Sequence, residues 1–520
     1  MDQSAPSDVS DVGPAAAGTE ACRDMAPVSR RLGVATLYVL LGNVFTLLVG
    51  FPLQIYVTRV LGAEGVGTFG LLEAAAASAA GFLGFGIAPT AMRFLPAHLE
   101  RAEYGEARGL VRIGGPLLAA IGFAAYVVLL LLLPVSDSVW PAFTPYRMEA
   151  AIMGLFVPLG LCIHFLQQSL RGLQEVRQVI LGSSVLQLTL KALLVLAAFA
   201  LGLRLTGYIL AAVCSIFIAT LWLLFVLWAR LRALPKAAPT STSYPQWSHY
   251  ALISYFGALL GAATSGLDRF LVGSMFGTGA VGVLMVARTL QGLPEQFNRM
   301  LLMVGAPLLS AAHARGAHAE RAHIFHLMTD WSVRLSMPLV LFLLIFAHPV
   351  LSLYGQTFAD RGGPALQIVV GAQFFSLLCG PVGSAALMSG LERASFYVLA
   401  LGSALVVVLY CVLIPQLAVV GAAITIAAGV VFANVATVWL VKRRIGLHWW
   451  DKRYIAWLPQ AAGSLLLAYA GLHLPVSFGA VGLIVMLTAM YAISAAINLL
   501  TGLHQDDRDF LRIFVARVFR

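Results

Sequence analysis

The chain of 520 residues is 60% hydrophobic and only 11% charged, with a mean hydropathy of +0.88 and a formal net charge of +10. Soluble domains carry about 25% charged residues, so this composition excludes a soluble globular protein. Apolar runs of the ~20 residues that cross a bilayer recur along most of the chain, whereas a β-barrel would show alternating segments of about ten. The expected fold class is an all-α polytopic membrane protein with about 14 transmembrane helices.

Residues 1–30 are polar, with Asp2, Asp8, Asp11 and Glu20. They lack the basic start of a signal peptide and read as a disordered cytoplasmic tail. Apolar spans follow at 32–58, 67–96, 109–134, 148–170, 178–202, 207–229, 249–276, 280–311, 324–347, 363–389, 395–415, 418–441, 454–473 and 476–500. The longest connection is the Pro/Ser/Thr-rich stretch from Arg230 to Trp247. It predicts a six-helix bundle over 31–230, a cytoplasmic linker over 231–247, a second six-helix bundle over 248–441 and two additional, lipid-facing helices over 442–500. In residues 501–520, Phe510, Leu511 and Phe514 alternate with Arg508, Arg512 and Arg517. That basic amphipathic segment suits the anionic inner leaflet.

An internal repeat supports the two halves. Residues 61–69 read Leu-Gly-Ala-Glu-Gly-Val-Gly-Thr-Phe and residues 276–284 read Phe-Gly-Thr-Gly-Ala-Val-Gly-Val-Leu. At an offset of 215 (277 − 62), Gly62 matches Gly277, Val66 matches Val281 and Gly67 matches Gly282. The offset pairs span 1 with span 7 and span 2 with span 8. Two similar bundles about a central site are the design of alternating access.

Charge sets the orientation. Of 33 basic residues, 23 fall on one side of the predicted spans, and only Arg59, Arg147, Arg204 and Arg361 fall on the other. The positive-inside rule then places both termini in the cytoplasm. The basic residues lie in short loops without interleaved aromatics, so nucleic acid is not expected as a partner.

Six basic residues remain inside spans: Arg93, Lys191, Arg269, Arg288, Arg299 and Arg334. Charge in a bilayer is costly and marks a protein interior or a water-filled cavity. Arg93 is placed to snorkel to the cytoplasmic surface, and Arg334 to pair with Asp330 one turn earlier. Span 8 carries Arg288, Gln291, Glu295 and Arg299 at a 3-4-4 spacing, one face of a helix, with Pro294 expected to kink it. Applying the repeat offset to Arg288 gives Glu73, so opposite charges are expected to face each other across the pseudo-two-fold. Asp268 and Arg269 are adjacent in span 7 and point about 100° apart. Arg288, Arg299, Arg269, Lys191 and Gln291 are therefore the candidate substrate-binding residues, and Glu73, Asp268 and Glu295 the candidates for ion coupling. The cationic excess favours an anionic substrate.

Phosphate-binding P-loop, H-E-x-x-H and G-x-S-x-G patterns are absent. Neither the five cysteines nor the histidines at 313, 318, 323 and 326 have metal-ligand spacing, and the latter read as a solvated loop. No catalytic residue, metal or cofactor is expected, and the chain does not read as an enzyme.

The run Arg59-x-Leu61-Gly62-x-Glu64-x-x-Gly67-x-Phe69 resembles the opening signature of the bacterial polysaccharide (Wzx-type) flippases, relatives of the MATE exporters and lipid II flippases. Asp268-Arg269-Phe270-Leu271-Val272-Gly273, followed by Gly277 and Val281-Gly282, resembles the second-half motif of that family; Leu284 stands where tyrosine is usual. The resemblance covers residues 30–500. It implies two pseudo-symmetric six-helix bundles around a central cavity plus two C-terminal helices. It also implies a bacterial inner-membrane protein that translocates an undecaprenyl-diphosphate-linked oligosaccharide for cell-surface or exopolysaccharide synthesis. The implied partners are that lipid-linked oligosaccharide, membrane lipids and the polysaccharide polymerase machinery. A MATE-type drug/ion antiporter and a lipid II flippase are the competing expectations.

Overall fold

The computed structural model describes residues 38–39, 41–139, 145–235, 244–264, 266–473 and 479–500; both tails and the centre of the 231–247 linker lie outside these. Among the described residues the chain is helical and contains no β-strand. In the first half, α1 (41–61) and α2 (63–83) meet at Gly62. They are followed by α3 (Ile87–Glu100), α4 (Tyr104–Val139), α5 (Arg147–Gly154), α6 (Phe156–Gly172), α7 (Val176–Ala200) and α8 (Leu205–Ala233). The second half comprises α9 (Tyr244–Thr264), α10 (Leu267–Phe276), α11 (Thr278–Ala314), α12 (His318–Ile345), α13 (Ala347–Ser352), α14 (Gln356–Leu378) and α15 (Val382–Met388). It continues with α16 (392–417) and α17 (419–445), which meet at Ala418, and ends with α18 (Trp457–His473) and α19 (Ala480–Leu500).

Nine helical stretches among the described residues are long and apolar enough to cross a membrane, or ten if α14 and α15, bent by 45°, form one broken span. Two of the nine, Leu41–Leu83 and Glu392–Ile445, each contain a non-helical residue and divide into two helices. The fourteen hydropathy spans therefore do not map one to one onto these helices. The α11 helix falls outside the set, in keeping with its polar stripe. It is helical on both sides of Pro294, whose carbonyl accepts a hydrogen bond from Ser336 Oγ at 3.1 Å. Span 2 is broken at Gly84–Gly86, where Gly86 takes φ +67°.

The repeat is written into the backbone. Gly62 has φ 69°, ψ −177° and Gly277 has φ 82°, ψ 172°. Both sit in a region open essentially only to glycine. Five residues later the paired glycines do something different. A Cβ on Gly67 would lie 1.7 Å from the Thr278 carbonyl oxygen, and one on Gly282 would lie 2.1 Å from that of Ala63. Ala63 and Thr278 are themselves 215 residues apart, so the two contacts are copies of each other under the repeat. Here α2 and α11 cross backbone against backbone, and among the described residues the Phe51–Leu83 stretch and α11 form the most extensive helix pair.

Other cross-half contacts are smaller: α9 packs on α2 and α3, and α10 on α2. Within the first half α6 packs against α3, α4 and α8; within the second, α14 packs against α11, α12 and the α16–α17 stretch. Each half has its own large apolar core, one around Leu95, Leu118, Phe165 and Leu223 and the other around Val283, Phe346, Leu366 and Ile414.

Polar contacts sort the turns into two ends. Arg108 Nε at the start of α4 donates to the Leu231 carbonyl at the end of α8 (3.2 Å), and Arg230 pairs with Glu175 at 2.7 Å. Arg321 donates to the Ile445 carbonyl at 3.2 Å and lies 2.9 Å from His313 Nδ1, tying α12 to the ends of α17 and α11. Of the four histidines, His313, His318 and His323 are exposed, as expected, though they sit at helix ends and not in a loop; His326 and Arg321 are buried. At the opposite end, Arg59 Nε donates to the Leu353 carbonyl at 2.6 Å.

Helices α18 and α19 pack on α12. Trp457 Nε1 donates to Asp330 (2.8 Å), Gln460 to the Arg334 carbonyl (2.7 Å) and Tyr491 to the Leu335 carbonyl (3.1 Å). Asp330 and Arg334 pair at 2.9 Å, both buried. This pair is thus part of the seam holding the last two helices, which are anchored by hydrogen bonds as well as facing outward.

Enlarging either contact glycine has a testable cost. Gly67→Leu and Gly282→Leu should each destabilise the protein by roughly 1–3 kcal/mol, the usual penalty of overpacking. Gly279→Leu, where a Cβ meets Glu64 Cγ at an ordinary 3.6 Å, should not. Thermal unfolding of the detergent-solubilised protein reads the difference.

Candidate functional site

Beside the α2–α11 crossing lie four charged residues, of which only Asp268 is buried. The α10 helix begins after Gly266, which takes φ +86°, so Asp268 and Arg269 sit in its first turn. Successive helical residues diverge, and these two serve different partners. Asp268 is 1% exposed and accepts from Arg288 Nη1 of α11 at 2.5 Å. Arg269 reaches the other half, donating to the Gly70 carbonyl (3.3 Å) and to Glu73 Oε2 of α2 (3.4 Å). A third link, Gln54 Nε2 to Thr289 Oγ1 at 3.1 Å, also joins the halves.

Burial of an unpaired carboxylate is expensive, and Asp268 meets that cost with the Arg288 guanidinium. Its second oxygen, Oδ1, is buried without a hydrogen-bond partner among the described residues. The Arg288 side chain stays 40% exposed. It is therefore held from behind by a buried anion while part of its donor fork faces open space.

The expected pairing of Arg288 with Glu73 is corrected: Glu73 pairs with Arg269, and Arg288 with Asp268. The repeat relates Arg288 to Glu73 by position, and the neighbouring α10 helix supplies a nearer partner to each. The expected common cradle of four cations is corrected as well. Arg288 and Arg299 are eleven residues apart on one helix, about 16 Å at 1.5 Å per residue. Arg299 pairs with Glu295 at 3.2 Å, with both side chains largely accessible. Gln291 lies between them, half-buried. Lys191 is inside the first half, its Nζ 4.8 Å from the ring centre of Tyr208 and 5.6 Å from that of Phe69. Cation–π attraction holds it there, and the Glu73 carboxylate acts on it electrostatically.

Sequence reasoning missed His164. It projects from α6 into a cavity of about 430 Å³ whose lining also includes Glu73, Gly81, Gly84 and Ala258. A single histidine in the middle of an apolar span was the available signal. It also missed a contact at the basic end of α3 and α9. Trp247 Nε1 donates to His98 Nε2 (3.2 Å), and His98 Nδ1 lies 2.7 Å from Glu103 Oε2. Arg93 is exposed and lies over the Tyr250 ring at 4.4 Å, so it also links the halves. Gly86 completes this contact, since a Cβ there would lie 2.0 Å from the Ala251 carbonyl.

The arrangement has two functional possibilities: an anion can take the free side of Arg288, and a change of charge at Glu73 can release Arg269. A double-mutant cycle tests the second. Arg269→Gln and Glu73→Gln should be coupled by about 0.5–1 kcal/mol in thermal unfolding, the range for a partly exposed pair. Arg269→Gln and Glu295→Gln should be additive.

A family model described as "Polysaccharide biosynthesis protein" matches residues 32–313, more than half of the chain. No curated protein matches. Among solved structures, an inward-facing multidrug-resistance MATE transporter of the MOP superfamily is similar at TM-score 0.60 and 15% identity, covering 79% of this chain and 98% of its own. The lipid II flippase MurJ in an inward closed conformation is similar at TM-score 0.60 and 12% identity, covering 88% and 98%. A MOP-superfamily transporter from Pyrococcus furiosus is similar at TM-score 0.53 and 15% identity, covering 80% and 95%. At these identities the likeness shows a shared polytopic membrane fold.

Proposed function

Because the chain belongs to the polysaccharide biosynthesis protein family, we propose that it is a flippase for an undecaprenyl-diphosphate-linked oligosaccharide. It carries the lipid from the inner to the outer leaflet of the bacterial inner membrane, with both termini cytoplasmic. The observation that carries this reading is Arg288, 40% exposed and anchored from behind by the 1% exposed Asp268. A guanidinium fixed on one side and open on the other suits a diphosphate, which accepts charge-assisted bonds in pairs. Such a site favours an anion over the cations that a drug antiporter exports. The lipid II reading shares the diphosphate chemistry and differs in the sugar.

In this mechanism the halves rock about the α2–α11 crossing. Arg269, paired to Glu73 across the halves, reports the state of the interface. A proton on Glu73 removes the charge that holds Arg269, which frees that arginine for the substrate; Asp268 keeps Arg288 in place throughout. Glu295 and Arg299, about two and three turns along the helix from Arg288, meet the headgroup on entry. Undecaprenyl chains stay in the bilayer, and the activity is transport without a catalytic residue or cofactor.

A deletion strain tests the reading. Lipid-linked oligosaccharide should accumulate on the cytoplasmic leaflet and be cleared by the wild-type gene. Arg288→Ala should cut clearance about tenfold or more, the loss of one charge-assisted contact. Arg299→Ala should have the smaller effect. Full rescue by Arg288→Ala would sink the site; no accumulation would favour the antiporter, and accumulation of lipid II alone would favour that substrate.

A further inference from the structure

A second basic site lies behind the first half, outside the inter-half cavity. Arg108 and Arg112 are one turn apart on α4 and share a face. Arg232 is in the last turn of α8, its guanidinium 3.6 Å from the ring centre of Trp228. All three arginines and Trp228 line a groove of about 820 Å³ between α4, α6 and α8, whose deeper wall is apolar at Ala119 and Phe165.

The three arginines are not equivalent. Arg108 is engaged by the carbonyls of Leu231 and Leu234, bracing α4 against the end of α8. Arg230 already holds Glu175. Arg112 and Arg232 are exposed, and neither has a carboxylate partner among the described residues. Two unneutralised guanidinium groups at the mouth of an apolar groove, beside an exposed tryptophan, form an amphipathic anion site. Tryptophan belongs at the headgroup level of a bilayer, and basic pockets between transmembrane helices on the cytoplasmic side receive anionic headgroups.

We propose that this groove binds an anionic glycerophospholipid of the cytoplasmic leaflet. Its phosphate sits between Arg112 and Arg232, and the first part of an acyl chain runs along Ala119 and Phe165. The occupant is a resident lipid and not the transported one. The groove uses the Cys162–Phe165–Leu166 face of α6, while Gly160, Leu161 and His164 on another face line the cavity that holds Glu73. A lipid here staples α4 to α8 and stiffens the first half as a unit.

Native mass spectrometry of the full chain, titrated with phosphatidylglycerol or phosphatidylcholine of identical chains, tests this. Wild type should prefer phosphatidylglycerol, and Arg112→Gln/Arg232→Gln should lose about fivefold of that preference per arginine. Lys442→Gln/Arg444→Gln, equal in charge but away from the groove, should keep it. Ala119→Phe, which fills the groove and leaves both arginines, should weaken binding as well. Melting of each variant in phosphatidylcholine should match wild type, so that lost binding is not lost folding. An undiminished preference in the double arginine variant overturns the proposal. Displacement of the bound lipid by millimolar glycerol 3-phosphate also overturns it, because the acyl chain would then contribute nothing.

Discussion

The structure depends on one contact, the backbone crossing of α2 and α11 at Gly67 and Gly282. In a bilayer there is no hydrophobic force to drive helices together, and close packing of small residues takes its place. The crossing satisfies the repeat twice, with Gly67 against the Thr278 carbonyl and Gly282 against that of Ala63. A pair of equivalent contacts of this kind makes a two-fold pivot, since neither half can slide along the other without striking a carbonyl. Gly62 and Gly277, five residues earlier, supply the other half of the device by reversing the chain so that the crossing helices begin together.

Around this pivot the charges divide by role. Asp268–Arg288 lies within the second half and is deeply buried at the carboxylate, whereas Arg269–Glu73 spans the halves at 3.4 Å with both side chains partly exposed. A buried pair keeps its geometry because separation leaves a charge in low dielectric. The exposed pair parts at much lower cost. Asp268 and Arg269, neighbours in sequence, thus serve one pair inside the second half and one pair between the halves. At the seam of the last two helices Asp330, Arg334, Trp457 and Gln460 form a buried hydrogen-bonded network.

The α3–α9 contact at the basic end adds a counterpart to the pivot. Gly86 approaches the Ala251 carbonyl, Arg93 covers Tyr250 and Trp247 bonds His98. These are side-chain contacts around one close approach, without the doubled backbone contact of α2 and α11.

Read alone, the sequence determined membrane insertion, the helical class, the repeat and the polar stripe of α11. Each is set by local composition or by spacing along one helix, and bilayer thermodynamics acts on those directly. It also identified Asp268, Arg269, Arg288 and Glu73 as costly charges, because the cost of a charge within a span needs no knowledge of its neighbours. The pair Asp330–Arg334, one turn apart on one helix, was legible too, whereas tertiary structure alone decided the pairings between helices. The repeat offset linked Arg288 to Glu73, but α10 lies beside both and captures each with a different residue. The cavity that His164 lines is assembled from residues as distant as Glu73, 91 (164 − 73) positions away, and the partner of Trp247 stands 149 residues away, so neither setting could be read from the sequence. Arg299 looked equivalent to Arg288 on a helical wheel, which records the face and discards the distance along the axis.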